Sequence, residues 1–288
     1  MVFNPKQALD QDNPVDLPCG QCVGCRLERS RQWAMRCLHE AQLHSENCFI
    51  TLTFDQEHLQ QRENPWSLDV TEFQRFMKRL RKHYAPRTIR FYHCGEYGEK
   101  HGRPHYHAIL FGLDFEDRYH WATNNGFRYY RSDTLEKLWP FGHSMIGDVT
   151  FESAAYCARY IMKKITGDGS EEHYRVVEET TGELVDIKPE YTTMSRNPGI
   201  ASEWFDKYHQ DVYQKDYVTM RGQKMRAPKY YDGKMEQFDP LFMEDVKAAR
   251  KEHAKQFGEN NSLDRLAVRE RVHNNRANFL KRNVDEET

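Results

Sequence analysis

The 288-residue sequence has no run approaching 18 apolar residues, the length that a membrane-spanning helix requires, so no membrane partner is expected. Its first residues, MVFNPKQALDQDNPVD, lack a basic segment followed by an apolar stretch, and no secretory signal is expected there. No Gly-x4-Gly-Lys-Ser/Thr loop is present, which removes the usual phosphate cradle for ATP. Net charge is nearly absent, −2 from 42 Lys and Arg against 44 Asp and Glu, so the total alone points to no polyanion. Internal repeats and low-complexity tracts are missing. Paired cysteines are not indicated either: seven is an odd number, and three crowd into Cys19, Cys22 and Cys25. That usage fits a reducing compartment rather than a disulfide framework.

What is present is polar but foldable. Apolar residues make up 38% of the chain and aromatics 13%, too many large apolar side chains for wholesale disorder. A mean hydropathy of −0.92 then implies a compact core with polar extensions. Charge is unevenly spread. Residues 73–107 hold nine Lys and Arg and two Glu, whereas residues 168–190 hold eight Asp and Glu and two Lys and Arg. A basic central segment in a neutral chain fits one polyanion-binding face.

Periodicity places the elements. A helix is expected over 27–44. The segment 48–54 alternates, with Ile50, Leu52 and Phe54 on one face and Thr51 and Thr53 on the other, and reads as a strand. Phe73, Phe76, Met77 and Leu80 recur at helical spacing within 69–84, with Thr71 as the expected N-cap. Strands are expected at 88–98 and 104–112, joined as an antiparallel hairpin, and at 143–151. A helix follows over 152–165, then a peripheral hairpin over 174–188 and helices at 201–213, 241–257 and 262–281. The expected fold class is α+β, a central antiparallel sheet flanked by helices. The expected division is a Cys-rich segment and helix (1–45), a core with its peripheral hairpin (46–215), and a charged, helical extension (216–288), whose last ~45 residues are expected to be solvated or to bind a partner.

His105 and His107 flank Tyr106 on an apolar strand. Side chains two apart share a face, so two imidazoles stand side by side, as a divalent metal requires. Glu96, late on the partner strand, folds back across the hairpin as a third donor, with Glu99 and His101 as rivals in the turn. Such a set leaves open positions on Mg²⁺ or Mn²⁺. Tyr156 and Tyr160, four apart, share one helix face with Lys163 and Lys164 one turn on. A tyrosine hydroxyl has a pKa of about 10, and a nearby cation favours the phenolate. A Tyr–Lys face opposed to a His–His–metal face is a phosphoryl-transfer arrangement. The Cys19, Cys22, Cys25 cluster suits structural Zn²⁺, with Cys37, His39, His44 or Cys48 as a fourth ligand. Arg79, Arg81, Lys82 and Arg103 are the candidate phosphate contacts.

These residues together resemble the rolling-circle replication initiators of microviruses, of the gokushovirus-like branch, within the HUH endonucleases. The resemblance covers most of the chain. It rests on FITLTF (49–54), RPHYHAILFG (103–112) and YCARYIMK (156–163), with the N-terminal PCGQCVGCR (18–26) beside them. It implies a Rep-like fold and a metal held by His105, His107 and Glu96. Tyr156 and Tyr160 become the nucleophiles, Lys163 assists, and a 5′-phosphotyrosine link forms at the origin. The implied partners are single-stranded origin DNA and, since an ATP-binding loop is missing, a host helicase and polymerase in the cytoplasm of a bacterial host. The alternatives are a non-catalytic, zinc-stabilised nucleic-acid-binding protein and an HUH transposase or relaxase.

Overall fold

The computed structural model describes Gly20 and residues 22–98, 102–124, 126–159, 164, 169–177 and 182–279. In chain order the first half contains α1 (Val23–Ala41), β1 (Asn47–Leu52), α2 (Gln56–Gln60), α3 (Val70–His83), β2 (Arg90–Tyr97), β3 (Pro104–Phe111), β4 (Tyr119–Asn124), β5 (Phe127–Arg131), α4 (Asp133–Leu138), β6 (Ser144–Gly147) and α5 (Phe151–Arg159). After these come α6 (Ser170–His173), β7 (Arg175–Val177), β8 (Leu184–Asp186), β9 (Tyr191–Met194), α7 (Ser202–Lys215), β10 (Val218–Met220), β11 (Gln223–Met225), α8 (Lys229–Phe238), α9 (Pro240–Lys255) and α10 (Leu263–Phe279).

Seven strands form one sheet in the order β4-β5-β6-β1-β3-β2-β9, and every neighbouring pair runs antiparallel. Alternation along β1 sends Cys48, Ile50 and Leu52 to one side, where Phe73, Phe76, Met77 and Leu80 of α3 meet them with Trp139. The other side presents Phe49, Tyr92, Cys94, Ile109 and Phe111 to α1 and α5. The expected fold class holds: two helical layers enclose one antiparallel sheet, each layer with its own apolar cluster.

Several elements differ from expectation in informative ways. The cap of α3 is Asp69, whose carboxylate accepts from Thr71 N–H at 2.9 Å, and the Thr71 hydroxyl donates to the same side chain. At the start of α5, Thr150 and Ser153 bond reciprocally, each side chain accepting from the other's backbone N–H. The β4–β5 hairpin, the short helix α4, the edge strand β9 and the β10–β11 hairpin have no counterpart in the sequence-based reading. The 174–188 hairpin is present as β7–β8.

The C-terminal residues are not solvated throughout. Tyr231 and Met243 are fully buried, and the Arg250 guanidinium is bonded to both Asp216 and Asp232, tying α9 to α8 and the end of α7. Leu263, Val268 and Val272 of α10 remain exposed.

Tyr231 also creates a pH-sensitive contact. His39 of α1 is buried, its Nδ1 2.6 Å from the Tyr231 hydroxyl and its ring stacked on Trp204 at 3.6 Å. Burial pushes the imidazole pKa down to about 3. Above pH ~6.5 neither the folded nor the unfolded chain protonates this ring, so it leaves stability unchanged. Below that pH the unfolded chain takes up the proton and the folded one does not, so stability falls with pH down to the folded value. Between pH 7 and pH 5 this one histidine should cost about 2 kcal/mol. Chemical denaturation at the two pH values measures it, and His39→Gln should flatten the dependence by that amount.

Candidate active site

The sheet register brings the candidate donors together. On β2 and β3, Glu96 stands directly opposite His105, and Cys94 opposite His107. From the other side β1 places Thr51 opposite His107. Side chains alternate, so His105, His107, Glu96, Cys94 and Thr51 share the face covered by α1 and α5, and Tyr106 points to α3.

His107 and Glu96 are fully buried and bonded directly, Nε2 to Oε1 at 2.6 Å. The Nδ1 of His107 lies 2.9 Å from Thr51 Oγ1. His105 is half-buried, with Nδ1 2.7 Å from the Arg103 carbonyl oxygen. A carbonyl only accepts, so Nδ1 carries the proton and Nε2 the lone pair. The two imidazoles are parallel within 1°, centroids 6.4 Å apart. Gly98 makes room for the first of them, because a Cβ there would come within 2.8 Å of His105 Cε1.

Aromatic rings frame the pair. Phe49 stacks on His107 at 5.7 Å, and Tyr156 of α5 meets the same imidazole edge-on at 5.2 Å. Tyr156 is only 5% exposed. The two sequence motifs are therefore in contact, the tyrosine helix lying across the His-x-His strand. Cys94 shares the face, but burial pushes its thiol pKa well up, so it stays protonated and a poor ligand. Tyr160 and Lys163 lie outside the described residues, as do Glu99, His101 and Cys19. Lys164 is placed, and its carbonyl accepts from Arg26 at 3.1 Å.

The donor chemistry suits a divalent cation. Each imidazole has Nδ1 engaged by an oxygen partner, which fixes ring orientation, and Nε2 of His107 is turned to Glu96. A buried carboxylate completes the two-nitrogen, one-oxygen set. Among the described residues no three His, Cys, Asp or Glu side chains already converge on a common metal position, and Glu96 bonds to His107 instead.

The remaining candidates are dispersed. Cys22 is exposed and Cys25 half-buried. The fourth-ligand candidates are engaged elsewhere. Cys37 lies twelve residues beyond Cys25 on α1, roughly 18 Å at helical rise, and is sealed in the core. His39 bonds Tyr231, His44 faces Glu40, and Cys48 is buried on the α3 side. Arg79 donates to the Leu138 carbonyl and Arg81 to the Ile89 carbonyl, while Arg103 donates to Gln56. These three arginines brace the chain, and Lys82 is exposed. Thr51 is the site residue that sequence reasoning misses. Its strand face is legible, but its pairing with His107 depends on register across three strands.

An antiparallel sheet carrying His-x-His, an opposing carboxylate and a tyrosine helix packed on them is the arrangement expected of phage replication initiators. Comparison with known proteins agrees. Residues 47–165, from β1 through the tyrosine helix, match the family model for the ORF2-type replication-associated proteins. The chain is 32% identical over 240 residues to replication-associated protein VP4 of Bdellovibrio phage phiMH2K, covering 80% of this chain and 71% of that protein. It is 32% identical over 254 residues to replication-associated protein ORF2 of Spiroplasma virus 4, covering 83% and 74%. It is also 30% identical over 228 residues to replication-associated protein ORF4 of Chlamydia phage 1, covering 75% and 52%. The chain belongs to this family of phage replication-associated proteins. No solved structure matches it. Among the described residues no helix is long and apolar enough to cross a membrane.

Proposed function

We propose that the protein initiates rolling-circle replication by nicking one strand at the origin of a circular phage DNA, acting in the bacterial host as a metal-dependent endonuclease and strand transferase of the HUH type. The observation that carries this reading is the buried Glu96–His107 pair with Tyr156 packed against its imidazole. A tyrosine oxygen attacks the scissile phosphorus, and the bond to O3′ breaks. O3′ leaves with the electron pair and takes up a proton, giving a free 3′-OH for the host polymerase. The phosphate remains on the tyrosine as a 5′-phosphotyrosine. After one round the second tyrosine opens the regenerated origin, and the released 3′-OH attacks the first link to close a circle.

His105, His107 and Glu96 would hold Mg²⁺ or Mn²⁺, which when bound supplies positive charge to the scissile phosphate. Thr51 and the Arg103 carbonyl keep the two imidazoles oriented. Lys163 favours the phenolate form of the attacking tyrosine. Strand separation is left to a host helicase.

The test is a denaturing gel of labelled single-stranded oligonucleotides tiling the origin, incubated with the protein and Mn²⁺ or EDTA. A covalent protein–DNA adduct that appears only with Mn²⁺ is expected. Binding with no adduct on a used origin would replace this reading with that of a non-catalytic DNA-binding protein.

A further inference from the structure

The β4–β5 hairpin has a composition unlike the rest of the surface. Residues 118–131 include Arg118, Arg128 and Arg131 among five aromatic residues, with no Asp or Glu. Three of the aromatics are held out in solvent: Tyr119 is 49% exposed, Trp121 45% and Phe127 43%. β4 is also an edge strand, where exposed aromatics invite aggregation unless they serve a contact.

The register gives this surface a direction. Tyr129 pairs with Gly147, Gly147 with Phe49, and Phe49 with Ile109, so Tyr129 is on the His107 face of the sheet. Phe127 and Arg131, two residues either side, share that face, and Tyr119 is opposite Arg131. A register shift between His120 and Ala122 brings Trp121 beneath Arg131, whose guanidinium carbon lies 4.4 Å from the ring centroid. Continuing the register across β6 and β1 puts Arg131 in the same crosswise row as His107. The separation is three strand spacings, roughly 14 Å. Over β1, β3 and β2 this face is covered by α1 and α5, whereas on the hairpin Tyr129 is buried and the rings of Tyr119 and Phe127 are exposed.

We propose that this face of the β4–β5 hairpin is a stacking platform for single-stranded DNA, holding the strand that leads to or from the catalytic histidines. On this face the rings of Tyr119, Trp121 and Phe127 stand with Arg131, combining stacking surface with a cation, while Arg128 alternates to the other side. Residues 119–131 contain no Asp or Glu, which suits a polyanion, and Arg118 before them is paired with Asp114 at 2.6 Å. Arg131 Nε is buried without a hydrogen-bond partner, and Arg128 is exposed. The route of the strand past the histidines rests on the nickase reading, whereas the platform itself is tested without any chemistry.

The experiment is fluorescence anisotropy of labelled dT20 with the full chain at fixed salt. The variant Trp121→Ala/Phe127→Ala should weaken binding about tenfold or more, and Trp121→Phe should stay within about threefold of the parent because stacking is kept. Unchanged dT20 affinity in the double variant overturns the proposal, as does a changed oligomeric state with unchanged DNA affinity, which would make the surface a protein interface. If the parent protein forms no adduct but the dT20 result holds, the nickase reading fails and the platform stands.

Discussion

The Tyr156→Phe/Tyr160→Phe double variant should form no covalent adduct with origin DNA, a loss of roughly 10³-fold or more, the scale on which removing a nucleophile acts. The single variants should differ. Tyr156 is 5% exposed and packed edge-on against His107, so little of its side chain is open to an incoming phosphate. Tyr160 heads the Tyr-x2-Lys spacing. First cleavage should therefore survive Tyr156→Phe within a few-fold and collapse in Tyr160→Phe, with circle closure needing both. Phenylalanine keeps the ring, so packing on the imidazole is retained and folding should be little affected. A first adduct that persists in Tyr160→Phe and vanishes in Tyr156→Phe would reverse the assignment. An adduct persisting in the double variant would remove tyrosine catalysis altogether.

His107→Ala should have two large effects at once. The Glu96 carboxylate would lose its bond to His107 in a fully buried position, and breaking a buried pair on one side costs about 3 kcal/mol or more. Mn²⁺ binding and adduct formation should also be lost. Glu96→Gln separates these effects. The amide oxygen can still accept from His107 Nε2–H, so stability should change by about 1 kcal/mol or less. The anionic oxygen is gone, so Mn²⁺ affinity should still fall. Thr51→Val tests the outer contact, where weakening of the metal by about 10- to 100-fold is expected. Calorimetric titration with Mn²⁺ and denaturant midpoints read the two quantities independently. Wild-type Mn²⁺ affinity in both His107→Ala and Glu96→Gln would show that these residues are not ligands.

The parts of the fold legible in the sequence are those in which one residue type repeats at the period of the element. Phe73, Phe76, Met77 and Leu80 define α3, and all four are buried. Ile50 and Leu52 define the inner face of β1 in the same way, and Phe54 just beyond it joins the same cluster. Thr71 is the cap that the sequence suggests for α3, and the geometry shows instead that the Asp69 carboxylate accepts while the Thr71 hydroxyl supports it. The β4–β5 hairpin is illegible because its outward aromatics break the apolar-in, polar-out alternation by which a strand is recognised. α4 is six residues long, too short for periodicity to register. In the site, the shared face of His105 and His107 follows from spacing alone. The choice of Glu96 follows from its place on a strand, and the structure adds that it lies opposite His105 and reaches diagonally to His107. Thr51 depends on a contact with His107, 56 residues away, and Gly98 on how closely the turn of its own hairpin returns to His105, and no local pattern carries either.

The middle residue of the His-x-His strand points away from the chemistry. The Tyr106 hydroxyl sits among the Asp69 N–H, which donates to it, and the Asp69 carbonyl and Glu72 carboxylate, which can accept from it. Glu72 is in turn clamped by Arg62. This phenol works as an indexing pin: it fixes how far β3 has slid along its neighbours, and thereby the height of both imidazoles on the opposite side. Changes of length at 99–101 should then be absorbed locally without displacing the histidines, so a peptide or fluorophore tag could be inserted there while the spacing of the donor set is preserved.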